Sequence, residues 1–298
     1  MDDSLRPDLT ARTLTIDDVD ATIAMINACE LHDSGEQMWE RADLLSDIKT
    51  DGFDLARDWV GIFDEAQIVG WALYVHPRRA WADVHPDQRG RGVGTWLRRW
   101  TEERARAHGA DRVSQVIDDE RREVGAMFAA SGYVARHTSW ILRMDHVSEP
   151  AAPTVPEGIE IRPIRPDDES ATMAMFEAAF TEFADRLPTS EATWRAMTVA
   201  REGFAPEDLI VAIDGQRVVG GALLLDSEEI WVDKLAVAAT HRHRGIGRGL
   251  LQTAFRRSFD RGYDHTSLST DSRTGALSLY ERIGMHVTRS FTNWGLDL

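Results

Sequence analysis

Residues 88–97 read QRGRGVGTWL, and residues 242–251 read RHRGIGRGLL. Each stretch combines arginines with two closely spaced glycines and continues into residues with helical apolar spacing. Glycines expose backbone N–H groups in a tight turn, and the start of the following helix adds the positive end of its dipole. Arginine adds charge-assisted donors that suit phosphate oxygens. The two stretches therefore predict two turns, each suited to bind a phosphate or pyrophosphate.

The two turns belong to a longer internal repeat, in which four blocks recur in the same order with offsets of 150 to 153 residues. The blocks pair residues 11–22 with 161–172, residues 58–73 with 208–223, Gly92 and Gly94 with Gly245 and Gly247, and Gly132 with Gly284. Prolines at 150, 153 and 156 predict a stiff linker. We expect two copies of one fold, at residues 1–147 and 159–298, joined by a linker at 148–158.

Each copy predicts an α/β (α+β) fold with a mixed central sheet flanked by helices. A first strand leads to an acidic pair, Asp17-Asp18 or Asp167-Asp168, that is expected to cap the next helix. A hairpin with a turn at Asp214-Gly215 follows in the second copy. A third segment leads into the glycine turn, and a helix, a strand, a short helix and a last strand complete each copy.

The whole chain has 298 residues and a formal net charge of −16. Such a charge repels nucleic-acid phosphates and favours the approach of cationic small molecules. No run of about 18 apolar residues predicts a membrane span, and the acidic start lacks the apolar core of a signal peptide. The single cysteine, Cys29, suits a reducing cytoplasm. We expect a cytoplasmic protein with no nucleic-acid or membrane partner.

Two common nucleotide sites do not fit the turns. A P-loop needs Lys-Ser/Thr after its last glycine, and a Rossmann turn follows its strand almost at once. The stretches instead resemble the R/Q-x-x-G-x-G/A signature of the GNAT superfamily of N-acetyltransferases, and a later stretch resembles its A-x-x-L-Y-E-x-x-G-F segment. The matching residues are Arg89, Gly92 and Gly94, then Arg242, Gly245 and Gly247, and finally Ala276, Leu279, Tyr280, Glu281 and Gly284. The duplication is similar to tandem, mycothiol synthase-like acetyltransferases.

The resemblance implies acetyl-CoA as co-substrate, without a metal, and a fourth strand that splays from the fifth so that its backbone pairs with the pantetheine arm. TDSRTGA (270–276) lacks an asparagine that many members carry, so Arg273 is expected to reach a phosphate instead. The implied cofactor-binding residues are Leu235, Ala236, Val237, Arg242, Arg244, Gly245, Ile246, Gly247, Arg248 and Arg273 in the second copy, and Val84, Arg89, Arg91, Gly92, Val93 and Gly94 in the first.

Aminolysis of a thioester needs a base for the ammonium group and a proton donor for the departing thiolate. By resemblance, Tyr280 is the donor. Glu229, Trp231 and Asp233 alternate along a strand and are expected to share one face. Asp233 is the preferred base and Glu229 the reserve. Among other acids, Glu182 or Asp185 could meet a cationic acceptor.

The first copy has Phe128 at the position of Tyr280 and, by alignment, Ala80 at that of Asp233. We therefore expect catalysis in the second copy alone, on a small-molecule amine acceptor, with a first copy able to bind acetyl-CoA at most. An acyl-CoA-binding sensor without turnover and a protein or peptide N-acetyltransferase stay open as alternatives. The expected oligomeric state is a monomer or a homodimer.

Overall fold

The computed structural model describes residues 5–37, 39–50, 52–182, 188–201 and 203–298. The chain forms two compact units. The first unit contains Met1–Arg136 and Thr292–Leu298, and the second contains His137–Phe291. The C-terminal end of the chain is thus part of the first unit, whereas the domain boundary inferred from the proline-rich stretch stays a prediction.

The first unit contains five strands in the order β1-β2-β3-β4-β5, with β4 and β5 parallel and the other neighbours antiparallel. Its elements are β1 (Leu9–Thr13), α1 (Val19–Ser34), α2 (Arg41–Ile48), β2 (Trp59–Asp64), β3 (Gln67–Val75), β4 (Arg79–Val84), α3 (Val93–Ala107), β5 (Arg112–Asp118) and α4 (Arg122–Ala130). They are followed by β6 (Val134–Asp145), most of which lies in the second unit.

The second unit repeats this plan in the order β7-β8-β9-β10-β11, and β6 pairs with β11. Its elements are β7 (Ile159–Pro163), α5 (Glu169–Phe180), α6 (Glu191–Met197), β8 (Leu209–Asp214), β9 (Arg217–Asp226), β10 (Ile230–Val237), α7 (Ile246–Asp260), β11 (His265–Asp271) and α8 (Leu277–Ile283). They are followed by β12 (His286–Asp297), whose residues from Thr292 onward belong to the first unit. Again only the fourth and fifth strands are parallel. Two copies of one mixed-sheet fold are confirmed.

Each sheet has helices on both faces because its central strands are apolar on both sides. In the second unit, Leu250 and Phe255 of α7 are buried against one face, and Phe176 of α5 is buried against the other. Burying each such side chain contributes about 1.5–3 kcal/mol. None of the helices in the described part of the chain is long and apolar enough to cross a membrane.

The acidic pairs act differently from the expected helix caps, because neither Asp18 nor Asp168 makes a side-chain cap bond to the following helix. The carboxylate of Asp168 instead accepts two hydrogen bonds from Arg162, at 2.6 and 3.0 Å, and one from the backbone of Arg165. Asp18 makes the matching pair with Arg12. These bonds fix the turn between the first strand and helix of each unit.

Candidate active site

The parallel pair β10–β11 separates part of the way along its length. Pairing joins Ile230, Trp231 and Val232 to residues 266–268 and then ends, whereas β10 stays paired with β9 as far as Val237. The edge of β10 beyond Val232 therefore faces β11 without a ladder of strand hydrogen bonds, and its backbone groups are free to meet an extended ligand. In the first unit β4 and β5 pair at a single position. Leu235, Ala236 and Val237 lie on the separated edge of β10, and Val84 lies on that of β4.

A β-bulge lies where β10 begins to part from β11. Val232 pairs with Leu224 and Lys234 with Leu223, so Asp233 is an extra residue in β10. Ile230 and Val232 pack on the α7 side, and after the bulge Leu235 and Val237 do so. The bulge interrupts the two-residue period at Asp233, so a face shared by Glu229, Trp231 and Asp233 no longer follows from alternation and stays a prediction.

The register also corrects the predicted match of Asp233 with Ala80. Ala80 pairs with Tyr74, whose counterpart is Leu224, and Leu224 pairs with Val232. Ala80 is therefore the counterpart of Val232, and Asp233 has none because β4 pairs with β3 without a bulge.

Both glycine turns have the predicted geometry. Gly92 and Gly245 precede α3 and α7 with φ of 86° and 87°, a left-handed conformation that favours glycine. The first turn of α7 contains no acidic residue and begins with Ile246, which is buried, and Gly247. Val93 and Gly94 begin α3 in the same way. The unsatisfied amides at the start of each helix suit an anion.

The arginines around the turns differ in what they contact. Arg242 donates two hydrogen bonds to Glu182, at 2.8 and 3.0 Å, and one to the carbonyl of Val237. Arg89 makes the same set of contacts with Asp33 and the carbonyl of Val84. These two arginines therefore join the end of a strand to an acid near the end of a helix.

The remaining predicted phosphate ligands are more varied. Arg244 lies 3.7 Å from Asp214, Arg91 pairs with Asp8, and Arg273 is held by both oxygens of Asp271. Arg248 is exposed in the first turn of α7, and its guanidinium has no hydrogen bond or ion pair with the residues that the structure describes. The counterpart of Arg248 is Thr95. A free guanidinium beside a helix start is thus a feature of the second unit's turn.

Tyr280 lies on α8 and is 7% exposed, in the core on the α7 side of the sheet. Burial raises the pKa of Tyr280 to about 12, and a hydrogen bond with Thr270 acts in the opposite direction. Thr270 lies on β11 two residues beyond Leu268, the last residue paired with β10. The hydrogen-bond partner of Tyr280 therefore belongs to the separated part of β11.

The two candidate bases have different surroundings. The carboxylate of Asp233 is exposed at the bulge and forms an ion pair with Lys234. Glu229 precedes β10, where its carboxylate lies 2.9 Å from His265 Nε2 and accepts a hydrogen bond from Ser267. The paired segment of β10 separates Glu229 from the bulge. Asp185 lies outside the described residues.

The first unit has bulky groups at the corresponding places. Gly221 corresponds to Trp71, whose indole N–H donates to the half-buried Asp83 at 3.1 Å. Trp39 packs edge-on against Trp71 and Trp81, with ring centroids 5.8 and 5.1 Å apart. The α1 face of this sheet is thus filled by aromatic side chains. Phe128 is buried at the position of Tyr280.

Three residues of the second site were missed by the sequence analysis, namely Thr270, Thr274 and Lys234. Only the resemblance to the Tyr280 segment pointed near the two threonines, and threonine is too common in strands and turns to be a signal alone. Lys234 gains its place beside Asp233 from the bulge, which has no clear sequence pattern. No cluster of histidine, cysteine and acidic side chains that could hold a metal ion occurs within the described ranges.

Comparison with known proteins gives the same fold for both units. The family model described as Acetyltransferase (GNAT) family matches residues 25–133 and 171–285. A GCN5-related N-acetyltransferase from Sphaerobacter thermophilus is 30% identical, with a TM-score of 0.84 over 99% of this chain and 97% of that one. A mycothiol acetyltransferase from Nocardia farcinica is 30% identical over 239 residues, 74% of this chain and 76% of the relative.

A tandem GNAT protein from the clavulanic acid biosynthesis pathway matches in fold, with a TM-score of 0.74 and 14% identity over 97% of this chain and 98% of that one. The match of the family model to both repeats and the similarity to the Sphaerobacter protein agree with the separated strands and glycine turns described above. The chain therefore belongs to the acetyltransferase (GNAT) family, contains two copies of its fold, and is an acetyl-CoA-dependent N-acetyltransferase.

Proposed function

We propose that the second unit transfers the acetyl group of acetyl-CoA directly to a primary amine of a small molecule. The observation that carries this proposal is the separation of β10 from β11, with Asp233 at the bulge of one strand and Thr270, the partner of Tyr280, on the other. Lys234 forms an ion pair with Asp233 and lies two residues before Ala236, on the same face of β10. On that face Ala236 packs with Phe176 of α5. Tyr280 packs on the α7 side. The attacking amine would thus meet the Asp233–Lys234 pair from the α5 side of the sheet, and the leaving thiolate would meet Tyr280 from the α7 side.

The binding of acetyl-CoA follows from the same elements. The backbone amides of Ile246, Gly247 and Arg248, together with the free guanidinium of Arg248, suit the pyrophosphate. The separated edge at Leu235 to Val237 offers donors and acceptors to the amide groups of the pantetheine arm. These contacts would bring the thioester to the gap beside the bulge.

The chemistry needs a base and an acid. An alkyl ammonium has a pKa of about 10 and must lose a proton before its nitrogen can attack. Asp233 accepts that proton, directly or through water, and Glu229 is the weaker candidate because His265 and Ser267 already engage it. The C–N bond forms as the C–S bond breaks, and Tyr280 gives its proton to the departing thiolate.

The first unit is proposed to be non-catalytic. It has Phe128 where the second unit has the phenol, and it has no counterpart of Asp233. Trp71, Trp39 and Trp81 pack together on the α1 face of its sheet. The first unit also has a glycine turn before α3, so its binding of acetyl-CoA is to be measured separately from catalysis.

The acceptor class is suggested by the relatives. Several curated relatives between 25% and 30% identical are named mycothiol acetyltransferase, so a mycothiol precursor is the first acceptor to assay. The formal net charge of −16 favours cationic acceptors more generally. A cytoplasmic location is proposed from the single, buried cysteine, Cys29.

The test is the release of CoA thiol from acetyl-CoA with pooled amines, in which amino sugars, aminoglycosides, polyamines, amino acids and short peptides form separate pools. Release above the no-amine background with a small-molecule pool is the expected result. Release with peptides alone would favour a peptide acetyltransferase. If acetyl-CoA binds but no pool gives release of CoA thiol above background, the result would favour an acyl-CoA sensor.

A further inference from the structure

Lysine is rare in this chain, whose basic side chains are almost all arginine. It occurs at two positions, 49 and 234. Lys49 is exposed at the end of α2 in the first unit. Lys234 lies in β10 directly after the bulge residue Asp233, and its side chain is only 18% exposed. Lysine is among the side chains that are most often exposed. The Lys234 ammonium group is thus held unusually close to the sheet.

The side chain of Lys234 projects from the α5 face of the sheet. Lys234 pairs with Leu223 of β9, and residues directly opposite each other in an antiparallel pair project to the same face. Leu223 packs with Phe176 of α5 in the core on that face. Lys234 and Asp233 form an ion pair. A joined ammonium and carboxylate therefore lie on the side from which the acceptor is proposed to approach.

An amine without other charges meets this pair at a disadvantage. To give a proton to Asp233, the acceptor's ammonium group must come next to the carboxylate, and therefore also close to the Lys234 ammonium. Like charges in a partly buried place repel each other more strongly than they do in water. An acceptor that carries its own carboxylate removes this conflict, because its carboxylate pairs with Lys234 while its ammonium group pairs with Asp233.

The contact between the two side chains limits how far apart the acceptor's charges can lie. Asp233 and Lys234 are adjacent in sequence and in contact, so their complement needs an ammonium and a carboxylate group that are also close neighbours. An α- or β-amino acid has this arrangement. Lysine provides one flexible point of contact, which suits a single carboxylate oxygen without the planar fork of arginine.

The first unit has neither charge of this pair. Trp81 pairs with Leu73, the counterpart of Leu223, and therefore corresponds to Lys234. Its ring packs edge-on against Trp39, with centroids 5.1 Å apart. Asp233 has no counterpart, because β4 pairs with β3 without a bulge. The unit that is proposed to be non-catalytic thus has an aromatic ring in place of the ammonium group, as a role of Lys234 in holding the acceptor predicts.

We propose that Lys234 binds the carboxylate of an amino-acid acceptor and thereby selects zwitterionic amines, an inference that rests on the proposed function of the second unit. The acceptor's carboxylate replaces Asp233 at the Lys234 ammonium, which frees Asp233 to take a proton from the acceptor's ammonium group. The nitrogen then attacks the thioester carbon and the C–S bond breaks, giving an N-acetylamino acid and CoA. The nitrogen loses two protons and the thiolate gains one, so each turnover releases one proton.

The experiment measures kcat/KM for matched amines with and without a carboxylate, namely β-alanine against propylamine and a pool of α-amino acids against their amides. The wild-type protein should prefer the carboxylate-bearing member of each pair about tenfold or more, because a bond between charged groups is lost in the other. Lys234→Met should remove most of this preference, and Lys234→Arg should keep part of it. Lys49→Met, the matched control, should change neither rate. Asp233→Asn should lower both rates alike.

A second measurement needs no turnover. Because the chain has two lysines, an amine-selective reagent labels few sites, and mass spectrometry follows the labelling of each. N-acetyl-β-alanine carries the carboxylate but no amine that would consume the reagent. It should slow the labelling of Lys234 and leave that of Lys49 unchanged, whereas N-propylacetamide should slow neither.

The outcomes separate this inference from the function on which it rests. Propylamine and the amides turned over as fast as their carboxylate-bearing partners would overturn the selection by Lys234 and leave acetyl transfer intact. Equal losses for both members of each pair in Lys234→Met would make Lys234 a residue that only positions Asp233. CoA release with no amine at all would contradict the proposed function, and labelling of Lys234 unaffected by N-acetyl-β-alanine would then overturn the carboxylate site as well.

Discussion

Tyr280 and Phe128 occupy equivalent places in the two units. The carbonyl of Tyr280 accepts a backbone hydrogen bond from Met285 at 3.1 Å, and that of Phe128 accepts one from Tyr133 at 3.1 Å. The same helix end therefore presents a phenol in one unit and a phenyl ring in the other. Because the first unit has the same backbone without the phenol, it provides matched control positions for tests of the second.

Asp233→Asn should reduce kcat/KM by roughly 10- to 100-fold at neutral pH, because the carboxylate no longer helps to deprotonate the amine. The deficit should shrink as the pH approaches about 10, where the free amine forms without help. Rates with a fixed acceptor between pH 6.5 and 10 measure this. A deficit that is constant across the range would argue against a role as base.

Glu229→Gln is the comparison for Asp233→Asn. Its carboxylate is engaged by His265 and Ser267 at the start of β11. We therefore expect nearly wild-type kcat/KM at every pH, with a modest loss of thermal stability. A loss of activity as large as that of Asp233→Asn would reverse the order of the two candidate bases.

Arg248→Ala should raise the KM for acetyl-CoA about tenfold or more, since a hydrogen bond to a charged group contributes about 1.5–3 kcal/mol. The effect should shrink at high salt because Arg248 is exposed. Thr95→Ala changes the matching position of α3 and should leave the KM unaltered. Equal effects of the two substitutions would mean that both turns contribute to turnover.

The pH dependence of kcat should lack a falling basic limb below about pH 10. Burial raises the pKa of Tyr280 to about 12, so the acid keeps its proton throughout this range. The same shift stabilises the fold below the ordinary tyrosine pKa of about 10, and this contribution is lost as the pH rises towards 12. Titration of kcat with a weakly basic amine tests the first statement, and a decline centred near pH 8 would contradict it.

Gly92→Ala and Gly245→Ala should each destabilise their unit by about 1–2 kcal/mol, because both glycines have a left-handed conformation. An added methyl group would meet nothing within 4 Å at Gly92 and only Pro156, at 3.7 Å, at Gly245. The cost is therefore that of the backbone alone. Denaturant unfolding measures this loss of stability. Unchanged unfolding midpoints would contradict the left-handed conformation of the two glycines.

Much of the architecture could be predicted because the repeat presents the sequence pattern of each strand and helix twice. The hairpins, the helices after the glycine turns and the final strands follow apolar periodicity and turn residues, which are local properties. The asymmetry between Tyr280 and Phe128 was also visible, since it depends on a single aligned residue. These predictions needed no knowledge of contacts between distant parts of the chain.

The details of the site depend on pairing, which the sequence does not show. A bulge at Asp233 changes which residues share a face, and only the register with β9 reveals it. Likewise, Arg89 and Arg242 fit a phosphate site by pattern, yet Arg89 is bound to Asp33 at the end of α1 and Arg242 to Glu182 just after α5.

The most direct measurement is the rate of CoA thiol release by Tyr280→Phe and Tyr133→Phe beside the wild-type protein, with one accepted amine. Tyr133 is the buried tyrosine next to Phe128, with ring centroids 4.6 Å apart, so Tyr133→Phe removes a buried hydroxyl beside the corresponding helix of the first unit. The account predicts a fall in kcat of roughly 100-fold for Tyr280→Phe and no change for Tyr133→Phe. Equal rates for all three proteins would contradict catalysis by Tyr280 in the second unit.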